Sequence, residues 1–202
     1  MSAECEQRLV EQVQSLGDPE AFRRLYGLYL PRVHTYVSYR VGRKQDAEDL
    51  TAEVFLKVME ELGAGRFEWR HNNSFAAWVF RIAHNLVGNF RRDAARAGSI
   101  GGTEGAGHPI PLDELPEIAS SDLPPEDALL RKEVFAQLHA LVNELSARKR
   151  EVVSLRYFAG LRNHEIAQVL GIDERTVAAT LSRALDELGA RLKLAGANEK
   201  GI

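Results

Sequence analysis

A single cysteine, Cys5, stands in the 202 residues, so the chain can form neither an intramolecular disulfide nor a cysteine-based zinc site. Cys5 reads as a spectator thiol in a reducing compartment. No apolar run approaches the length of a membrane span, and the opening residues MSAECEQ lack the basic-then-apolar order of a signal peptide, so a cytoplasmic location is expected. A surplus of positive charge is also missing. Twenty-six Lys and Arg face 29 Asp and Glu, a formal net charge of −3. Such a chain exerts no long-range pull on phosphate, which disfavours a free-standing non-specific DNA binder and confines any nucleic-acid surface to local patches. Strand alternation, hairpin turns and internal repeats are absent as well. The segment NHEIAQVL holds His164 and Glu165 but no second His four residues after the first, so the zinc-protease signature fails. With no phosphate loop and no paired nucleophile and base, the sequence predicts no enzyme, no metal and no cofactor.

What is present is apolar spacing of helical period almost throughout, which predicts an all-α protein. Asp18-Pro19-Glu20 supplies a cap, a Pro at the first helical position and an early acid, ahead of Phe22, Leu25, Tyr26 and Tyr29 on one side. Pro31 is expected to break or kink that helix before Val33, Tyr36 and Val37 resume the stripe. A second helix is expected from Asp46, with Asp49 as a weak capping-box acid and Leu50, Val54, Val58 and Leu62 inward; Gly63 and Gly65 end it. Ser74 caps a third, with Phe75, Trp78, Val79, Ile82 and Leu86 inward. Residues 97–125 collect most of the prolines and many glycines without periodicity, and read as a flexible linker. Helical signals return at Glu126 and run through Leu129, Val134, Leu138, Leu141 and Leu145, then Val152, Val153, Leu155 and Tyr157. The expected organisation is two small helical domains, 1–96 and 126–192, with a tail at 193–202.

Three stretches carry chemistry. In LRNHEIAQVLGIDERTVAATLSRAL, Gly171 can stop one helix in the left-handed conformation, Ile172 plugs the turn and Asp173 caps the next helix. Val177 and Leu181 then turn inward, leaving Arg175, Thr176, Ala179, Thr180 and Arg183 outward, the spacing of a helix-turn-helix that enters a major groove. An ordinary helical hairpin has the same spacing. Between residues 66 and 92, Arg66, Arg70, Arg81, Arg91 and Arg92 alternate with Phe67, Trp69, His71, Phe80, His84 and Phe90. Arginines track phosphates and rings stack on unpaired bases, a mixture suited to single-stranded nucleic acid. Burial competes for each ring, and Phe67, Trp69 and Phe80 stay open between core and base contact. Finally, DAEDLTAEVFLKVMEEL has an acidic outer face of Glu48, Asp49, Glu53 and Glu60, which could simply be solvated.

Taken in order, DPEAFRRLYGLYLPRV, DAEDLTAEVFLKVMEEL, SFAAWVFRIAHNLVGNFRRD and LSARKREVVSLRYFAGLRNHEIAQVLGIDERTVAATLSRAL resemble a bacterial RNA polymerase sigma factor of the extracytoplasmic-function group of the sigma-70 family. The likeness covers roughly residues 16 to 95 and 126 to 192. It implies a transcription initiation factor that binds core RNA polymerase, directs it to specific promoters and helps melt the −10 element. Asp46, Glu48, Asp49 and Glu53 would meet a coiled coil of the largest core subunit. The loop from Phe67 through Trp69, Arg70, His71 and Asn72 to Asn73 would capture a flipped base of the −10 element. Arg81, His84, Asn85, Asn89, Arg91 and Arg92 would hold the melted strand and its edge. Arg175, Thr176, Ala179, Thr180 and Arg183 would read the −35 element as duplex DNA. An anti-sigma factor is a further implied partner.

The chain also departs from the family pattern. Ala178 and Thr180 stand where Lys or Arg is common, Asp186 and Glu187 interrupt a usual basic run, and Arg162 replaces a Ser or Thr cap, passing capping to Asn163. The DNA grip is therefore expected to be weak, with a salt slope shallower by about two units if two phosphate contacts are missing. Core polymerase must then supply affinity. A stand-alone helix-turn-helix repressor would leave the acidic helix and the arginine-aromatic helix without a role and would dimerise, whereas a sigma factor is expected to be monomeric when free. A degenerate relative that only sequesters an inhibitor is the other rival.

Overall fold

The computed structural model describes residues 3–41, 43–69, 74–96 and 140–199. Helices and turns account for them, and no strand occurs among the described residues. The first half comprises α1 (Ala3–Leu16), α2 (Pro19–Val41), α3 (Lys44–Gly63) and α4 (Phe75–Arg96). The second comprises α5 (Ala147–Val153), extended by a π-helical turn over Ser154–Phe158, then α6 (Asn163–Leu170) and α7 (Glu174–Glu199). None of the described helices is long and apolar enough to cross a membrane. The expected linker at 97–125 and the helical signals from Glu126 to Leu138 lie outside the described residues. The expected tail at 193–202 is described to residue 199, and its backbone continues α7.

α2 opens as its sequence dictates: the Asp18 carboxylate accepts the Glu20 N–H at 2.9 Å, ahead of Pro19 in the first turn. Leu25, Tyr29, Val33, Tyr36 and Val37 then line its buried face, while Tyr26 is exposed. Of the break or kink expected at Pro31, the break does not occur, and the helix runs continuously through it. An interior Pro costs about 3 kcal/mol, yet residues on both sides of it are buried in one core, so tertiary packing holds the helix continuous.

α3 begins two residues before the expected Asp46. Arg43 is its N-cap and makes no side-chain capping bond, so the capping box at Asp46 and Asp49 does not form. Asp46 instead sits in the first turn facing Arg43 at 3.8 Å, where its charge favours the positive end of the helix dipole. Leu50, Val54, Val58 and Leu62 are buried as expected, and Gly65 leaves the helix with φ +67°. α1, which the sequence had not marked out, adds Leu9, Val10 and Val13 to the same core.

Ser74 caps α4 through a 3.0 Å bond from the Ala77 N–H to its Oγ. Phe75, Val79, Phe80, Ala83 and Val87 form the buried stripe, with Trp78, Ile82 and Leu86 partly buried beside it. In the second half the π-helical turn alters the register. It rotates Tyr157 out to solvent, against the inward expectation, and leaves Phe158 stacked on Tyr39 at 4.2 Å between ring centres.

The helix-turn-helix forms as read. Gly171 takes φ +65°, Ile172 donates back to the Ala167 carbonyl at 3.1 Å, and the Asp173 carboxylate accepts the Thr176 N–H at 2.8 Å. One detail differs: the cap of α6 is Arg162, not Asn163. The Arg162 N–H donates to the Glu165 carboxylate at 2.7 Å, and the Asn163 side-chain oxygen is buried with no hydrogen-bond partner. The two halves share one apolar core, in which Tyr29, Phe75 and Phe80 belong to the same cluster as Leu155, Leu161, Ile166 and Val177.

Candidate functional surfaces

The outward face of α3 is set by the period that buries Leu50, Val54, Val58 and Leu62 on the other side. Glu48, Asp49, Glu53 and Glu60 are exposed there, and Asp46 is half-buried. Lys44 lies 3.9 Å from Glu48 and Lys57 2.9 Å from Glu60. Among the described residues no ion pair engages Asp49 or Glu53. Two residues that sequence reasoning had not assigned complete this surface: Leu56 and Met59, 63% and 48% exposed, which lie between Glu53 and Glu60 in the chain. Their signal was legible, because both fall outside the inward stripe and lie three residues apart on one face of the helix.

The residues expected at the −10 element fall into three groups. Phe67 is a core residue, 3% exposed, its ring within 5.3 Å of those of Trp69, Phe75 and Trp78. The ring cannot also stack on a base in this arrangement, so the structure moves Phe67 from the site to the core, and Phe80 proves equally buried. Trp69 is half-buried against that cluster, its indole N–H without a hydrogen-bond partner. Arg70, His71, Asn72 and Asn73 lie outside the described residues. On α4, Asn85, Asn89 and Arg92 are exposed, the last donating to Asn89.

The remaining α4 residues turn toward the second half. Arg81 donates to the Gln168 carbonyl near the end of α6. His84 Nδ1 lies 3.0 Å from a Glu151 carboxylate oxygen. Arg91 is half-buried; burial lowers its pKa, and the charges of Arg40 and Arg150 act in the same direction. Glu151 is the centre of this junction. It accepts the Tyr36 hydroxyl at 2.7 Å, pairs with Arg40 at 2.5 Å and faces His84, with its side chain only 9% exposed. Burial alone would raise its carboxyl, but the His84 hydrogen bond, the Arg40 charge and the Tyr36 hydroxyl outweigh burial and hold the pKa at about 2. Tyr36 shifts the other way, raised by burial and then by the Glu151 charge. Two further bonds cross the junction. Arg32, stacked over Tyr29 and Phe80, donates to the Ala159 carbonyl at 2.8 Å, and Ser74 donates to Glu165 at 2.7 Å. Glu151 lies four residues before Leu155 on the inward face of its helix, which was the only trace of this junction in the sequence.

On α7, Arg175, Ala179 and Arg183 are exposed, as expected of a recognition helix. Thr180 is not. At 9% exposure it lies one turn from Val177 and from Ala184, both fully buried, and belongs to the inward stripe. Thr176 is half-buried, and its hydroxyl donates to Asp173 at 2.5 Å, so it serves the cap. Glu174 and Asp186 are exposed on the same helix, where Arg175, Arg183 and Lys193 are its exposed cations among the described side chains.

Comparison with known proteins gives a consistent picture. The family described as Sigma-70 region 2 matches residues 25–97, and Sigma-70, region 4 matches residues 135–188. The chain is 35% identical over 185 residues to the ECF RNA polymerase sigma factor BldN of Streptomyces coelicolor, covering 91% of this chain and 64% of that protein. It is 29% identical over 193 residues to the RNA polymerase sigma-H factor of Pseudomonas aeruginosa, covering 96% of each. In fold it is similar to the sigma factor RpoE of Bartonella quintana, solved in complex with the anti-sigma factor NepR, with a TM-score of 0.60 at 21% identity, covering 86% of this chain and 98% of that one.

Proposed function

We propose, from the premise that this chain belongs to the extracytoplasmic-function group of the sigma-70 family, that it is a transcription initiation factor docking on core RNA polymerase through the outward face of α3. The observation that carries the proposal is the composition of that face. Exposed Glu48, Asp49 and Glu53 adjoin exposed Leu56 and Met59 on one helix. A merely solvated face has no use for two large apolar side chains, whereas a protein interface combines an apolar centre with charges that steer and orient the partner. The acidic residues suit a basic coiled coil of the largest core subunit.

Promoter recognition then divides between the halves. Asn85, Asn89 and Arg92, with Arg81, His84 and Arg91 from the same helix, would hold the melted −10 strand, and Trp69 with residues 70–73 would receive a flipped base; Phe67 has no direct part. Arg175, Ala179 and Arg183 would face the −35 duplex, and Thr176 would orient the helix through its cap. With Glu174 and Asp186 beside them, those arginines supply little attraction to phosphate, so the free protein should bind promoter DNA weakly and the holoenzyme well. An anti-sigma factor, the partner seen with RpoE, is the proposed regulator. The near-neutral outward charge of α7 also favours a second reading, a relative that only sequesters an inhibitor, which run-off transcription with purified core would separate from the first.

The decisive test is charge reversal. Replacing Glu48, Asp49 and Glu53 together by Lys should weaken association with purified core polymerase roughly a hundred-fold and abolish core-dependent run-off transcription, with the helical circular dichroism unchanged. Association at the wild-type affinity would sink the proposal.

A further inference from the structure

We propose that Gln14 of α1 is a positioning residue for base capture: its side-chain amide fixes the Phe67 carbonyl and thereby the direction in which Trp69 is presented. The inference rests on the reading of Trp69 as part of the surface that receives a flipped base.

Gln14 and Phe67 stand 53 residues apart in the chain, and the Gln14 side-chain N–H donates to the Phe67 carbonyl at 2.7 Å. The donor is carried on a firm base. α1 packs on α2 and α3, burying Leu9, Val10 and Val13 in the common core, and Glu6 accepts the Tyr29 hydroxyl. Gln14 follows Val13 and lies four residues after Val10, so it shares the flank that those two bury and is itself half-buried. The acceptor lies in the segment that leaves α3, beyond Gly65 and Arg66, and is not part of a helix.

Two restraints therefore meet at Phe67. Its ring is locked among Trp69, Phe75 and Trp78, and its carbonyl is held by Gln14. Because a peptide unit is planar, a carbonyl fixed in direction also fixes the N–H and Cα that follow it, which sets the course of Glu68 toward Trp69. A carbonyl this close to the core is costly to leave unpaired. Without the Gln14 donor, the peptide between Phe67 and Glu68 would turn toward water and carry Trp69 away from the Phe67 ring, which it meets edge-on with centres 5.0 Å apart. Nothing at the far end of the indole resists that movement. Its N–H is buried with no hydrogen-bond partner among the described residues, so the orientation of Trp69 falls to packing and to its backbone.

The test uses the full chain in a Trp78→Phe background, which leaves Trp69 as its single tryptophan. Gln14→Met keeps the length of the side chain and removes the donor, whereas Gln14→Lys keeps a donor on a chain of similar reach. In the free protein, Gln14→Met should shift Trp69 emission to longer wavelength and raise its quenching by acrylamide; Gln14→Lys should match the parent. With core polymerase and a duplex promoter fragment that the parent transcribes, Gln14→Met should lower run-off transcription roughly ten-fold, the equivalent of one hydrogen bond. Its affinity for core should be unchanged, and Gln14→Lys should restore transcription. Unaltered Trp69 emission in Gln14→Met, or altered emission with full run-off, overturns the proposal. So does a loss that Gln14→Lys leaves unrepaired, since packing rather than the donor would then be responsible, and so does a fall in core affinity, which would place the effect on α3. If Gln14→Met fails to fold by circular dichroism, Gln14→Glu, of the same shape but without the donor, takes its place. A parent chain that directs no transcription at all would instead count against the sigma-factor reading, and the emission comparison would still decide whether Gln14 sets the Trp69 ring.

Discussion

Glu151 and Glu187 are two carboxylates on helices of the same half, each held at hydrogen-bond distance by cationic neighbours, and they behave differently. Glu187 receives Lys149 at 2.6 Å and Arg191 at 2.8 Å, with all three on α5 and α7, and its side chain stays 30% exposed. Glu151 receives Arg40 and Tyr36 from α2 and His84 from α4, and its side chain is 9% exposed. The first pairing lowers its carboxyl through the bonds to Lys149 and Arg191, in contact with solvent; the second does so against a desolvation penalty. Beside the shared apolar core, the halves are thus joined by a buried, multiply satisfied anion, whereas the pairing of Glu187 stays within one half and in contact with solvent.

The comparison breaks most visibly if Glu151 is truncated. Glu151→Ala leaves Arg40 and the Tyr36 hydroxyl buried without their partner, which costs about 3–5 kcal/mol in the closed arrangement. The chain can escape that cost by separating its halves. Urea unfolding followed by fluorescence and circular dichroism should accordingly split from one transition into two, and a single transition at the wild-type midpoint would contradict the account.

Acid titration sharpens it. The Glu151 carboxyl has a pKa of about 2 in the folded chain against an ordinary 4.5, so its contribution is present above pH 4.5 and is lost as pH falls from there toward 2. Stability in that window should fall more steeply for the wild type than for Glu151→Gln, which has no proton to take up. Parallel curves between pH 5 and pH 2 would remove Glu151 from the explanation.

The smallest effect belongs to the other carboxylate. Glu187→Gln should leave urea unfolding as a single transition, and whatever change it makes in the thermal midpoint should shrink in high salt. A split into two transitions like that of Glu151→Ala would erase the distinction between the two sites.

Much of this protein was fixed by local chemistry, and the sequence showed it. The cap at Asp18, the cap at Ser74, the Gly171 turn and the Asp173 cap all form where their residues stand, because each depends on bonds within a few positions of the chain. The helical period likewise set out the acidic face of α3. What the sequence could not decide was every choice made between distant segments: that Pro31 would be carried through by packing on both sides, that Phe67 would be core rather than base platform, that Thr180 would turn inward, and that Arg81 and His84 would face Gln168 and Glu151. The contacts of Arg81 and His84 bring together groups more than sixty residues apart, and periodicity along one helix carries no information about the surface that meets it.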